Sequence, residues 1–207
     1  MQIIGSKINQ WSEWIMHLVL LQIYWIIGTL MGGVILGIIP SSIALFSSIR
    51  KLFRDSLEFN LKTYFIHEYK TNFKFSLLLN VWYMLVLLIS FIYIEYLTAT
   101  RNSWLAYTHI PLYVILFFLA LLSIYLIPVY VHYEIRLVHL LPTTATILLT
   151  GIKWILPLIL SLITIALIFI RFSITIIFFG ISLPAFIVFY FTYRAFSDFD
   201  LKREQAE

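Results

Sequence analysis

The 207-residue chain contains no cysteine, so disulfides, thiolate metal sites and cysteine nucleophiles are all excluded. Charge is scarce: Asp, Glu, Lys and Arg make up 12% of the residues, against about a quarter in a soluble domain. That complement cannot cover the surface a water-soluble fold of this length exposes. Cytosolic enzymes, nucleic-acid binders and disordered tails are excluded on that ground. No phosphate-cradling glycine loop occurs, so the chain is not itself an ATPase. His67-Glu68 is followed by Thr71 where a zinc motif needs a second histidine, and Gly180-Ile181-Ser182-Leu183-Pro184 has proline where a nucleophile elbow needs glycine. No nucleophile, metal set or acid–base pair converges. The expectation is a non-enzyme without catalytic residues, metal or cofactor.

Hydrophobic residues make up 62% of the chain, with a mean hydropathy of +0.97. A membrane-spanning helix needs about 20 mostly apolar residues. Runs at 15–39, 75–97 and 110–130 meet that length, and the apolar stretch from Trp154 to Tyr193, interrupted only by Arg171, divides into 154–170 and 173–193. The expected fold is all-α: one polytopic membrane domain over 1–207, a bundle of about five transmembrane helices. Pro40 is expected to close the first span and Pro142 to stop an extension of the third. Pro128, Pro157 and Pro184 are expected to kink the spans that hold them. With the amino end outside and the carboxyl end cytoplasmic, eleven of the fourteen Lys and Arg fall inside, as the positive-inside rule favours. Trp11, Trp14, Trp104 and Tyr107 then mark the outer interface.

Residues 41–74 read as a cytoplasmic amphipathic helical hairpin between the first and second spans, with Asp55 and Glu58 opening its second helix. Its bland role is to lie on anionic lipid; its sharper role is to dock a partner through Tyr64, Phe65, Tyr69 and Phe73 beside Arg50 and Lys51. Gly28, Gly32, Gly33 and Gly37 give the first span a small-residue face for close helix packing, within the chain or against a second membrane protein. Gln22 and Asn80 are the polar side chains deepest in the runs and suit hydrogen bonds between helices. No span carries a charge at its centre, which argues against ion-coupled transport.

The order of these features resembles a known family. Gly37-Ile38-Ile39-Pro40-Ser41-Ser42-Ile43-Ala44-Leu45 precedes a basic helix with Arg50 and Lys51, and Tyr64-Phe65 with Lys70-Thr71-Asn72-Phe73-Lys74 leads into the second span. This resembles the YesL-like family of bacterial membrane proteins, with Pro40 matching its motif proline while Ile39 and Ser41 replace the usual glycine and alanine. The resemblance implies a multi-pass protein of a Gram-positive cell membrane, encoded beside carbohydrate ABC importers, and carries over no catalytic residue. The leading expectation is therefore an accessory or regulatory subunit that meets lipid and a membrane partner such as an ABC importer permease. An autonomous small-solute transporter or pore, and a membrane immunity or protective protein, stand as alternatives.

Overall fold

A computed structural model describes residues 2–54, 59–99 and 109–204. Among them are eight helices and no strand: α1 (Gln2–Met31), α2 (Ile35–Arg54), α3 (Leu61–Ala99), α4 (His109–Tyr133), α5 (Leu137–Thr150), α6 (Ile152–Arg171), α7 (Thr175–Phe179) and α8 (Ser182–Glu204). Stretches of five, Ser12–Met31, Ile35–Arg54, Leu61–Tyr96, Tyr113–Tyr133 and Ile152–Arg171, are long and apolar enough to cross a membrane. The chain is thus an all-helical membrane protein. Trp104, Tyr107, Asp55 and Glu58 lie outside the described residues.

The first apolar run is not one helix. It breaks at Gly32-Gly33-Val34, where Gly33 takes φ +72° and Val34 φ +63°. Gly33 N–H donates to Leu30 O at 3.1 Å and Val34 N–H to Thr29 O at 2.9 Å. These two bonds form a Schellman motif with glycine at the left-handed position that closes the last carbonyls of α1. The chain then turns back as α2. Pro40, expected as a terminator, sits inside α2 as its sixth residue, and Pro142 likewise sits inside α5. The α4–α5 break falls earlier, at Glu134, which has φ +52°. Pro184 is the third residue of α8, where the first helical turn has no bond for proline to remove.

The α1–α2 hairpin packs antiparallel. Trp25 Nε1–H donates to Ser42 Oγ at 3.1 Å near its middle, and Trp14 meets Phe53 edge-on at 5.6 Å near its open end. This corrects the reading of 41–54 as an interfacial helix. Ile43, Ala44, Leu45, Phe46, Ser47, Ser48 and Ile49 are all buried, enclosed by α1, α3, α4 and α8. The serines that gave the helix a polar flank are compatible with burial because a small hydroxyl can bond its own backbone: Ser48 Oγ donates to Ala44 O at 2.7 Å.

α3 runs back along α2, and past Asn80 its partner is α4: Tyr83 OH donates to Ser123 O at 2.7 Å and Tyr93 meets Tyr113 at 5.5 Å. The expected spans 75–97, 110–130 and 154–170 fall within α3, α4 and α6. The fifth run, 173–193, divides into α7 and the start of α8, so α2 rather than α8 is the fifth helix with spanning length and hydropathy. α5 starts just after Tyr133, whose OH donates to Asp200 at 3.0 Å, and ends at Gly151, which is packed against Ala195. α5 therefore lies beside the second half of α8. Phe53 joins α1, α2 and α8 there, touching Trp14, Phe186, Phe189 and Tyr193 with ring centroids 5.4–6.3 Å apart. Aromatic pairs of this kind add about 0.5–1.5 kcal/mol each beyond area burial.

Trp14 of α1, the end of α2 and the second half of α8 therefore share one end of the bundle, whereas an outside amino end with a cytoplasmic carboxyl end would separate them. The cysteine-free chain permits a direct check. Ser12→Cys, Thr63→Cys and Ser197→Cys are expected to react with a membrane-impermeant maleimide from the same face; labelling of Ser12→Cys from the opposite face would restore the single-crossing reading of residues 15–39.

Candidate functional site

Proline has no N–H, so Pro40 leaves the carbonyl four residues before it, Leu36 O, without its helical donor. Asn80 of α3 supplies one: its Nδ2 donates to Leu36 O at 3.4 Å. Asn80 is buried, as is Gln22 of α1. Gln22 Oε1 accepts from the backbone N–H groups of Ile181 at 2.9 Å and Ser182 at 3.0 Å. The first N–H groups of a helix have no partner within it, so Gln22 caps α8 from a different helix. Both amides thus close backbone valences at helix irregularities. Tyr69 OH also donates to Gly28 O at 3.1 Å, a carbonyl that already accepts from Gly32 N–H, and so ties α3 to the last turn of α1.

The other polar concentration lies where α2 ends. The Arg50 guanidinium donates to Val131 O, one of the last carbonyls of α4, and to Glu134 Oε1 at 3.0 Å. A basic side chain at a helix C-terminus satisfies an open carbonyl and suits the negative end of the helix dipole. Glu134 turns into the left-handed region one residue past α4, which brings its carboxylate to the same guanidinium. Lys51 Nζ lies over the rings of Tyr64 at 4.2 Å and Phe59 at 4.8 Å. A cavity of about 240 Å³ opens among Arg50, Lys51, Arg54, Tyr64 and Glu134. On its α3 side, Tyr130 OH donates to Asn72 Oδ1 at 2.7 Å, and the Tyr130 ring stacks on Phe75 at 3.9 Å. Among the described residues no group of three His, Asp or Glu side chains is arranged to hold a metal.

The aromatic residues singled out for partner docking do not form one open face. Phe65 is 3% exposed and packs beside Tyr24 of α1, Tyr69 bonds Gly28, and Tyr64 carries Lys51 on its ring; Phe73 lies 5.8 Å from Tyr69. α3 reaches α1 through this face because α1 and α2 form a hairpin beside it, a neighbour that a single span ending at Pro40 does not provide. The glycines divide by role. A Cβ at Gly28 would come within 2.6 Å of Ser41 Oγ, and Cβ atoms at Gly32 and Gly37 would run into the backbone across the hairpin, so these three permit its close approach. Gly33 has nothing within 4 Å and serves the turn through its positive φ instead.

Gln22→Met keeps length and hydrophobicity but removes the acceptor. It is expected to destabilise the protein in detergent by about 1–3 kcal/mol, the cost of leaving buried donors open. Thermal or denaturant unfolding of the purified chain measures this, and an unchanged midpoint would show that Gln22 is not the cap of α8.

Residues 18–96, from the middle of α1 through the turn and α2 to near the end of α3, match the family described as "Protein of unknown function, DUF624". The matched segment contains both Pro40 and Asn80. Over 98% of its length the chain is 22% identical to "Uncharacterized protein YesL" of Bacillus subtilis (strain 168), covering 95% of that protein. It is 31% identical to "Uncharacterized protein YesV" of the same organism, over 57% of each chain. No solved structure matches. With five helices of spanning length, one of them the buried α2, the chain is similar to the YesL-like membrane proteins, and its α1–α2–α3 unit is the segment that matches the family model.

Proposed function

We propose that the chain is a non-catalytic accessory or regulatory subunit in a cell membrane and acts by binding a membrane protein partner, a carbohydrate ABC importer permease. The observation that carries the non-transporter part of this reading is the use made of the buried amides. A solute path of the chain's own would need polar groups free to face it, and Gln22 and Asn80, the deepest candidates in the apolar runs, are engaged with backbone groups of α8 and α2. One cluster of charged groups outside those runs lies where α2, α3 and α4 meet, around Arg50, Lys51, Arg54 and Glu134, a surface suited to a partner's charged loop. The permease as partner follows from the YesL-like resemblance and its importer setting. The basic end is assigned to the cytoplasm by the positive-inside rule, which places the start of α1 there together with the carboxyl end.

Affinity purification of the intact chain in mild detergent from its native membrane, followed by mass spectrometry, tests the proposal. Stoichiometric recovery of an importer permease is expected, with recovery reduced by Lys51→Glu combined with Arg54→Glu. Repeated recovery of the chain alone, from cells that express the importer, would overturn it.

A further inference from the structure

A second cavity lies on the other side of α3. It is a groove of about 480 Å³ between α1 and α3, walled by Tyr24, Ile27 and Met31 on one side and Phe65, Ile66 and Tyr69 on the other. Gly28 lies between the two walls and completes the floor. The lining is almost wholly apolar except at the rim, where Lys62 and Lys70 of α3 stand two helical turns apart. Among the described residues the ion pairs are Arg50–Glu134, His67–Glu68 and Lys153–Asp198, and neither rim lysine takes part. Two unneutralised ammonium groups therefore border an apolar trough whose α1 wall, with Ile23, Ile26, Ile27, Leu30 and Met31 exposed, faces outward.

We infer that this groove binds an anionic phospholipid, its acyl chain along the Gly28 floor and its phosphate between Lys62 and Lys70. Charge complementarity selects this occupant. A zwitterionic lipid brings its own cation to the lysines, and an apolar segment of a second copy leaves both ammonium groups uncompensated. Basic pockets between membrane helices bind anionic headgroups by this combination of local charge and apolar contact. The site is separate from the Arg50–Glu134 end, and the inference holds whether or not an importer is the partner.

The test is native mass spectrometry of the purified chain, titrated in mild detergent with phosphatidylglycerol or with phosphatidylcholine of the same acyl chains. Phosphatidylglycerol is expected to be retained at least about fivefold more strongly. Lys62→Gln with Lys70→Gln is expected to abolish that preference without moving the melting midpoint, while Lys74→Gln leaves it intact. Ile27→Trp, which fills the trough, is expected to lower retention of both lipids. Equal retention of the two lipids by the unaltered chain, an equal loss of preference in Lys74→Gln, or a lipid-free dimer in place of a lipid adduct would each overturn the inference.

Discussion

Inside a bilayer an open backbone carbonyl or N–H group has no water to bond, and each one left open costs several kcal/mol. This chain meets that constraint at Pro40 within α2 and at the start of α8 beside α1. In both places a side-chain amide from another helix closes the valence: Asn80 for Leu36 O, and Gln22 for Ile181 and Ser182. Each bond also sets position. Asn80 holds α3 in register beside the start of α2, and Gln22 holds the start of α8 partway along α1. A hydrocarbon side chain in either place fills the volume but leaves the backbone unmatched.

With those positions fixed, α2 becomes the central helix. It is reached from α1 by a turn that the left-handed Gly33 makes possible, and it approaches α1 closely because Gly28 and Gly37 carry no side chain. At its far end Arg50 closes the C-terminus of α4, and Phe53 gathers Trp14, Phe186, Phe189 and Tyr193. The family segment, 18–96, contains the helix, its turn, Pro40 and Asn80. It does not contain α4 or α8, the elements that Arg50 and Gln22 hold in place, so the segment has the form of a platform onto which the rest of the chain docks.

The membrane class, the all-helical fold, the turn after Arg171 and the spans near 75–97, 110–130 and 154–170 were legible in composition and run length, because hydropathy alone decides them. The path of the first forty residues was not. Pro40 looks like a terminator when read alone, since the donor that replaces its missing bond lies forty residues away in Asn80. The Gly32-Gly33 pair was visible as a small-residue face, and its second reading, a helix stop with glycine in the left-handed position, carried the signal for the hairpin. The periodicity of 41–54 correctly found an apolar face, but it could not report that Ser47 and Ser48 were buried too, because Ser48 satisfies itself on its own helix. Phe65 and Tyr69 read from the sequence as part of a partner-docking face, whereas in the fold they pack against Gly28 and Tyr24 of α1, a neighbour that periodicity does not report.

The central claim is that Asn80 is present to answer Pro40. A double-mutant cycle in unfolding free energy, over the unaltered chain, Asn80→Leu, Pro40→Ala and the two together in one detergent, measures it directly. With Pro40 present, Asn80→Leu is expected to cost about 1–3 kcal/mol, since it opens a buried carbonyl. With Pro40→Ala restoring the helical N–H, the same substitution is expected to cost less by at least about 0.5 kcal/mol. An equal cost in both backgrounds would contradict the account and leave Asn80 as a packing residue only.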